Sequence, residues 1–231
     1  MVTVNGNLHA TTDAEYSRTD ADPSRLRVLV VDDHPAIRLG LSQLLDDQPD
    51  IVVVEVASSA EQARSLAEGD PIDVAVVDYQ LGSRSGLWLT RRLKRLEPAP
   101  RVVIYSAYCD GPLAAACVVA GADGLISKGG VGSELCHAVR AVARGHSRIP
   151  MVPPALAGAM RRRLGADEQA IFGMLLAGIE PSDVADTLGI SERGLDSRRW
   201  AMLHKLEGLR PDRAGTAPTP PPIRRRRAPG C

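Results

Sequence analysis

Five short runs, RVLVV (27–31), IVVVEVA (51–57), DVAVVD (73–78), RVVIYS (101–106) and GLIS (124–127), are apolar almost without interruption. A strand that never alternates with polar residues has to be covered on both faces, which is the condition of a strand inside a parallel sheet. The intervening stretches carry helical spacing and predict helices over 36–47, 60–68, 86–96, 113–120 and 133–144. Ser59 with Gln62 three residues on makes a capping box for the second helix, and Pro49, Pro71 and Pro98 fall where the chain must break. Five such units joined by right-handed crossovers predict an α/β domain with a doubly wound, five-stranded parallel sheet. In that architecture ligands gather at the carboxyl ends of the strands.

Those ends carry a chemically coherent set. Asp32 and Asp33 close the first strand, Asp78 the third and Ser106 the fourth, and Lys128 follows the fifth. Two adjacent carboxylates at the end of a buried run are unfavourable alone, because burial and mutual repulsion both oppose their charge. Three converging carboxylates are the oxygen ligands that Mg²⁺ takes, with water completing its octahedron. A metal there makes phosphoryl chemistry feasible, since that chemistry needs positioning and charge neutralisation more than an acid or base. Asp78 is then the nucleophile, Ser106 a donor to a phosphoryl oxygen and Lys128 a second cation. Only Lys94, Lys128 and Lys205 are lysines among 28 basic residues, so a point charge stands at 128 in a chain otherwise biased to arginine. Taken one at a time these residues also read as helix caps, a turn hydroxyl and a solvated cation; His34 reads as a loop residue rather than a ligand.

The motifs VVDDHP (30–35), VVDYQLG (76–82) and YSAY with AGADGLISKG (105–108, 120–129) identify residues 25–147 as resembling the flavodoxin-like receiver domain of bacterial two-component response regulators. The resemblance implies that Asp78 is the phosphoacceptor and that Asp32, Asp33 and Asp78, with the backbone carbonyl of Gln80, hold the metal. It also implies a partner histidine kinase, and a switch rather than a turnover enzyme. One position departs: three residues before the lysine, receivers usually carry an aromatic whose ring reports phosphorylation, and here it is Leu125.

Beyond the receiver, 148–163 is expected to be a proline-marked linker, and 164–209 a small all-α domain. LLAGIEPSDVADTLGIS resembles the helix-turn-helix of the LuxR/NarL class: Pro181 opens a helix, Gly189 turns, Ser191 caps the next helix, and Val184, Leu188 and Ile190 are core. The resemblance implies a recognition helix over 192–206, double-stranded DNA as partner and a homodimer on paired half-sites. Arg193, Ser197, Arg198 and Arg199 are its candidate DNA contacts, together with Asp196, which repels phosphate but can accept from cytosine N4. Gly194, Asp196 and Arg199 depart from the usual pattern, and the rival reading is a helix bundle that docks on a protein.

Formal charge is zero overall, but residues 210–231 carry +5, with four consecutive arginines at 224–227, against −3 in residues 1–24. Both ends read as disordered, and the tail, with Arg161, Arg162 and Arg163, as a source of sequence-independent attraction to DNA. An aromatic content of 3% argues against base-stacking surfaces. Cys109, Cys117, Cys136 and Cys231 show no metal-ligand spacing and fit reduced thiols in a cytoplasmic protein, and no apolar run is long enough to span a membrane.

Overall fold

The computed structural model describes residues 25–82 and 84–207. The expected leader, the tail and Cys231 lie outside the described residues. In chain order the elements are β1 (Leu26–Val31), α1 (Pro35–Asp46), β2 (Ile51–Ala57), α2 (Ala60–Gly69), β3 (Val74–Asp78), β4 (Gln80–Leu81), β5 (Arg84–Ser85), α3 (Gly86–Leu93), β6 (Arg101–Ser106), α4 (Gly111–Ala120), β7 (Gly124–Ser127) and α5 (Gly132–Ala143). Four helices follow: α6 (Pro154–Arg161), α7 (Ala166–Leu176), α8 (Pro181–Leu188) and α9 (Glu192–Glu207).

Five strands form one parallel sheet in the order β2-β1-β3-β6-β7. Alternate residues of each strand point to opposite faces. Val28, Val30, Val74, Val76 and Val103 meet Leu41 and Leu45 of α1 and Leu135, Cys136, Val139 and Val142 of α5 on one face. The other face, with Leu29, Val31, Ala75 and Val77 fully buried, is covered by α2 and α3. Each Val or Leu side chain among them contributes about 1.5–3 kcal/mol on leaving water. Because the chain steps outward from β1 to β2 and then back across to β3, the winding reverses between β1 and β3, and a crevice opens at their carboxyl ends.

Two local expectations are corrected, and one pair of strands was not anticipated. The two-stranded hairpin β4–β5, which turns at Gly82 with φ +53°, was not legible as a strand pair, because two-residue strands carry no periodicity. Gln62 does return a hydrogen bond at the start of α2, but it accepts from Ser58 N at 2.8 Å while Ser59 Oγ accepts from Gln62 N, so the box is offset by one residue. The expected linker 148–163 contains α6, for which Pro154 supplies a first-turn residue with φ already set.

The described residues divide into two compact units: one runs to Cys109 and resumes over Gly121–Ile149, and the other joins Asp110–Ala120 to the chain from Pro150 onward. α4, expected only as one more sheet-covering helix, is therefore a member of the C-terminal unit, where it packs with α9, α7 and α6. Its sequence, GPLAAACVVA, is apolar all round and buried at seven of ten positions, so it has no water-facing stripe. In the same unit Val184 and Ala185 are buried and Leu188 and Ile190 half-buried; Gly189 takes φ +61° at the turn, and Ser191 Oγ caps α9 by accepting from Gly194 N at 3.1 Å.

Candidate phosphoacceptor site and output helix

β1 delivers Asp32 to the crevice, β3 delivers Asp78, and both carboxylates are buried, at 0% and 4% exposure. What tolerates them is Lys128, placed just past β7 by its own amide, which donates to the Ser106 carbonyl at 2.7 Å. The ammonium lies 2.7 Å from Asp32 Oδ2 and 2.9 Å from Asp78 Oδ2. The remaining carboxylate oxygens take backbone donors: His34 N donates to Asp32 Oδ1 at 2.8 Å and Gln80 N to Asp78 Oδ1 at 3.2 Å. Asp33, partly exposed, accepts from Gly82 N at 3.2 Å, which ties the β4–β5 turn to the end of β1.

The electrostatics follow from these distances. Burial raises the pKa of Asp78 despite the neighbouring Lys128 ammonium, and the Asp32 charge adds to the rise. For Lys128 burial acts downward, but hydrogen bonds to Asp32 and Asp78 outweigh it and hold the ammonium above its usual value. One ammonium among three carboxylates leaves two negative charges uncompensated, the deficit that a divalent cation fills.

The donor set fits such an ion. Single ligand atoms of Asp32, Asp33, His34 and Asp78 lie within 4.8 Å of one another. Oxygens around one Mg²⁺ at about 2.1 Å stand roughly 3–4 Å apart, so a shared ion needs only a small contraction. His34, read from the sequence as a loop residue, belongs to this cluster: its Nδ1 is 2.7 Å from Asp33 Oδ1 and 3.4 Å from Asp32 Oδ1. Its position beside the acidic pair was the available signal.

Ser106 is buried at the end of β6, where its Oγ accepts from Tyr108 N at 3.1 Å. Gln80 lies on the exposed side of the hairpin. Leu125 sits in β7 opposite Ile104 and is 3% exposed; its amide donates to the Arg148 carbonyl at 3.1 Å. The position expected from the family resemblance to carry an aromatic is thus an aliphatic packed into the sheet. The neighbouring ring is Tyr105, over which the Lys128 ammonium stands 5.8 Å from the centroid.

In the C-terminal unit, α9 buries Leu195, Arg199, Met202, Leu203 and Leu206 as one stripe. Arg193 and Ser197 are exposed, and Asp196 and Arg198 half-buried, so these four lie where a ligand reaches them. Arg199 does not: it is 6% exposed, its Nε donates to the Val119 carbonyl of α4 at 2.7 Å, and it leaves the set of candidate DNA contacts in this structure. The reason is helical phase, since 195, 199, 202 and 206 fall on one face whatever residue stands at 199. Lys205 is also engaged, at 2.6 Å from Glu168 Oε2.

Residues 28–140 match the response regulator receiver domain family. Over the longer chain, the DNA-binding transcriptional activator DevR/DosR of Mycobacterium tuberculosis (strain ATCC 25618 / H37Rv) is 30% identical across 215 residues, covering 89% of this chain and 98% of that protein. The response regulator UvrY of Escherichia coli (strain K12) is 28% identical over 191 residues, 78% of this chain and 88% of its own. Among solved structures, a LuxR-family two-component response regulator from Aurantimonas sp. SI85-9A1 superposes with a TM-score of 0.52 at 30% identity, covering 60% of this chain and 99% of that one. No helix among the described residues is long and apolar enough to cross a membrane. With a receiver sheet, an acidic crevice closed by a lysine and a C-terminal helix-turn-helix in one chain, the protein belongs to the response regulators of the LuxR/NarL type.

Proposed function

We propose that Asp78 accepts a phosphoryl group from a histidine kinase and that this controls transcription through DNA binding by α8 and α9, in a cytoplasmic homodimer on paired half-sites. The observation that carries the reading is the buried Asp32–Lys128–Asp78 bridge at the mouth of the sheet. Asp32, Asp33, Asp78 and the Gln80 carbonyl would hold Mg²⁺, which when bound neutralises the charge of the entering phosphoryl group. A carboxylate oxygen of Asp78 forms the new P–O bond as the donor's P–N bond breaks, giving an acyl phosphate and returning a neutral imidazole. Lys128, already fixed between the two carboxylates, turns to one phosphoryl oxygen, and the Ser106 hydroxyl donates to another. The side chains line a one-use acceptor rather than a turnover site. Arg193, Ser197, Arg198 and Asp196 face the nucleic acid.

Exposing the chain to acetyl phosphate and Mg²⁺ should add one phosphoryl group by intact mass, and Asp78→Asn should abolish it. Selection from random duplex DNA at physiological salt should then enrich a motif with the full chain, more strongly with phosphodonor. An unlabelled protein beside a labelled known receiver sinks the first half. A well-folded chain that enriches nothing sinks the second.

A second reading, docking on a protein instead of DNA, is favoured by the charge of α9. Among its described side chains the accessible charges are Glu192 and Asp196 against Arg193 and Arg198, while Arg199 is buried and Lys205 is bound to Glu168. A helix of balanced charge gains little from phosphate neutralisation.

A further inference from the structure

Lys128 stands beyond β7, yet its ammonium lies on Asp78 of β3 and Asp32 at the end of β1, so its side chain has to cross β6. Register fixes what it crosses. Asp78 pairs with Tyr105 and Tyr105 with Ile126, and residues paired across a sheet point to the same face. Tyr105 is therefore the β6 residue in the row of Asp78, and it packs against the same cluster as Val76 and Val103. The Lys128 ammonium stands 5.8 Å from the centroid of its ring. Leu125 lies elsewhere: it pairs with Ile104, one residue out of step with Tyr105, and points to the opposite face. An ammonium has three N–H donors. Asp32 Oδ2 and Asp78 Oδ2 take two of them, at 2.7 and 2.9 Å, and the ring face is the further neighbour that attracts the cation.

We propose that Tyr105 is a positioning residue for Lys128: its ring is the surface over which the ammonium passes from the Asp32–Asp78 bridge to a phosphoryl oxygen on Asp78. Two carboxylates fix the ammonium only while both are available. Once Asp78 is an acyl phosphate, its pull on Lys128 passes to the phosphoryl oxygens, and the contact that stays in place through the exchange is the ring. It keeps the ammonium over the row of Asp78 instead of turned out to water. The attraction belongs to the π face and not to the phenol oxygen, so phenylalanine serves equally and leucine does not. The exchange rests on the phosphorylation reading above; the contact between ammonium and ring in the unphosphorylated chain does not.

The lysines of the chain are Lys94, Lys128 and Lys205, so ¹³C-lysine labelling of the full chain gives three ε-methylene signals by NMR, and Lys128→Arg assigns one of them. A methylene above a ring face is shielded. Tyr105→Leu should move the Lys128 signal downfield and Tyr105→Phe should leave it near the parent's, while unmoved Lys94 and Lys205 signals show that the fold is kept. Tyr105→Met, also without a ring, makes the same comparison if leucine disturbs the fold. A Lys128 signal that stays in place without the ring overturns the contact. With acetyl phosphate and Mg²⁺, phosphoryl uptake followed by intact mass should slow by about five- to tenfold in Tyr105→Leu, the size of one half-buried cation–π contact, and stay within about twofold of the parent in Tyr105→Phe. The Mg²⁺ concentration for half-maximal uptake should be the same in all three, whereas a merely structural role would disturb Asp78 and shift it. Uptake as fast in Tyr105→Leu as in the parent, or slowed equally in both variants, overturns the positioning role. A parent that takes up no phosphoryl group defeats the phosphorylation reading, and the lysine signals still decide the contact.

Discussion

Lys128 and Arg199 are both withdrawn from water, and their surroundings treat them in opposite ways. Lys128, 19% exposed, lies between Asp32 and Asp78, and its pKa rises above the ordinary value. Arg199, 6% exposed, meets a carbonyl at the end of α4, and its pKa falls. Burial acts downward on both groups. The difference lies in the counter-charge: two carboxylates turn a buried ammonium into the centre of a site, whereas a carbonyl dipole leaves a buried guanidinium under tension. The first arrangement gathers charge at the carboxyl edge of the sheet, and the second caps the end of one helix with a side chain from another.

The comparison is broken most forcefully at Lys128. Replacing it with Met leaves Asp32 and Asp78 buried beside each other without a cation, and urea unfolding at neutral pH should show a loss of about 3–5 kcal/mol. Adding Asp32→Asn to that variant should return much of the loss, and a double variant no more stable than Lys128→Met would refute the bridge as the source. Arg199→Met should move the other way, raising stability by about 1–2 kcal/mol in the same measurement, because relief of the buried charge exceeds the cost of leaving the Val119 carbonyl without its donor. Loss of stability on that substitution would mean that Arg199 is compensated after all.

A smaller effect belongs to the paired cation of the C-terminal unit. Burial works to raise the Glu168 carboxyl, but the Lys205 ammonium and the Gly165 amide, 2.7 Å from Oε2, outweigh it and hold the pKa below the usual carboxylate value. A depressed folded pKa contributes stability that is present above the unfolded value and is lost as pH falls through the folded one. Lys205→Met should therefore cost about 1 kcal/mol at neutral pH and flatten the acid limb of the thermal melting profile. A variant whose acid limb matches the parent's removes the pair from the account. Smallest is the cap: Ser191 is exposed, so Ser191→Ala should cost about 0.5 kcal/mol, seen as faster amide exchange at Gly194 and in the first turn of α9.

The sheet was legible because an unalternating apolar run has only one stable environment, and the meeting of Asp32, Asp78 and Lys128 because strand ends in such a sheet converge. β1 differs from its expected bounds by one residue, and β2, β6 and β7 by none. The helix-turn-helix was legible for a related reason: Pro181, Gly189 and Ser191 each act within their own turn. α6 was missed because prolines that start a helix look the same in sequence as prolines that prevent one. The place of α4 was missed although its signal was present, since an all-apolar helix states that every side is covered without saying by what.

Residue order along β1, β3, β6 and β7 is enough to bring Asp32, Asp78, Ser106 and Lys128 to one edge, because strand direction and the alternation of side chains are local properties that propagate along the sheet. Arg199 obeys a different rule. Its helix, its phase and its neighbours in sequence all suit a residue offered to DNA, and its burial depends on a helix some 80 residues earlier in the chain. Which of two faces a charged side chain occupies is settled by what packs against that face, and no local pattern carries that information.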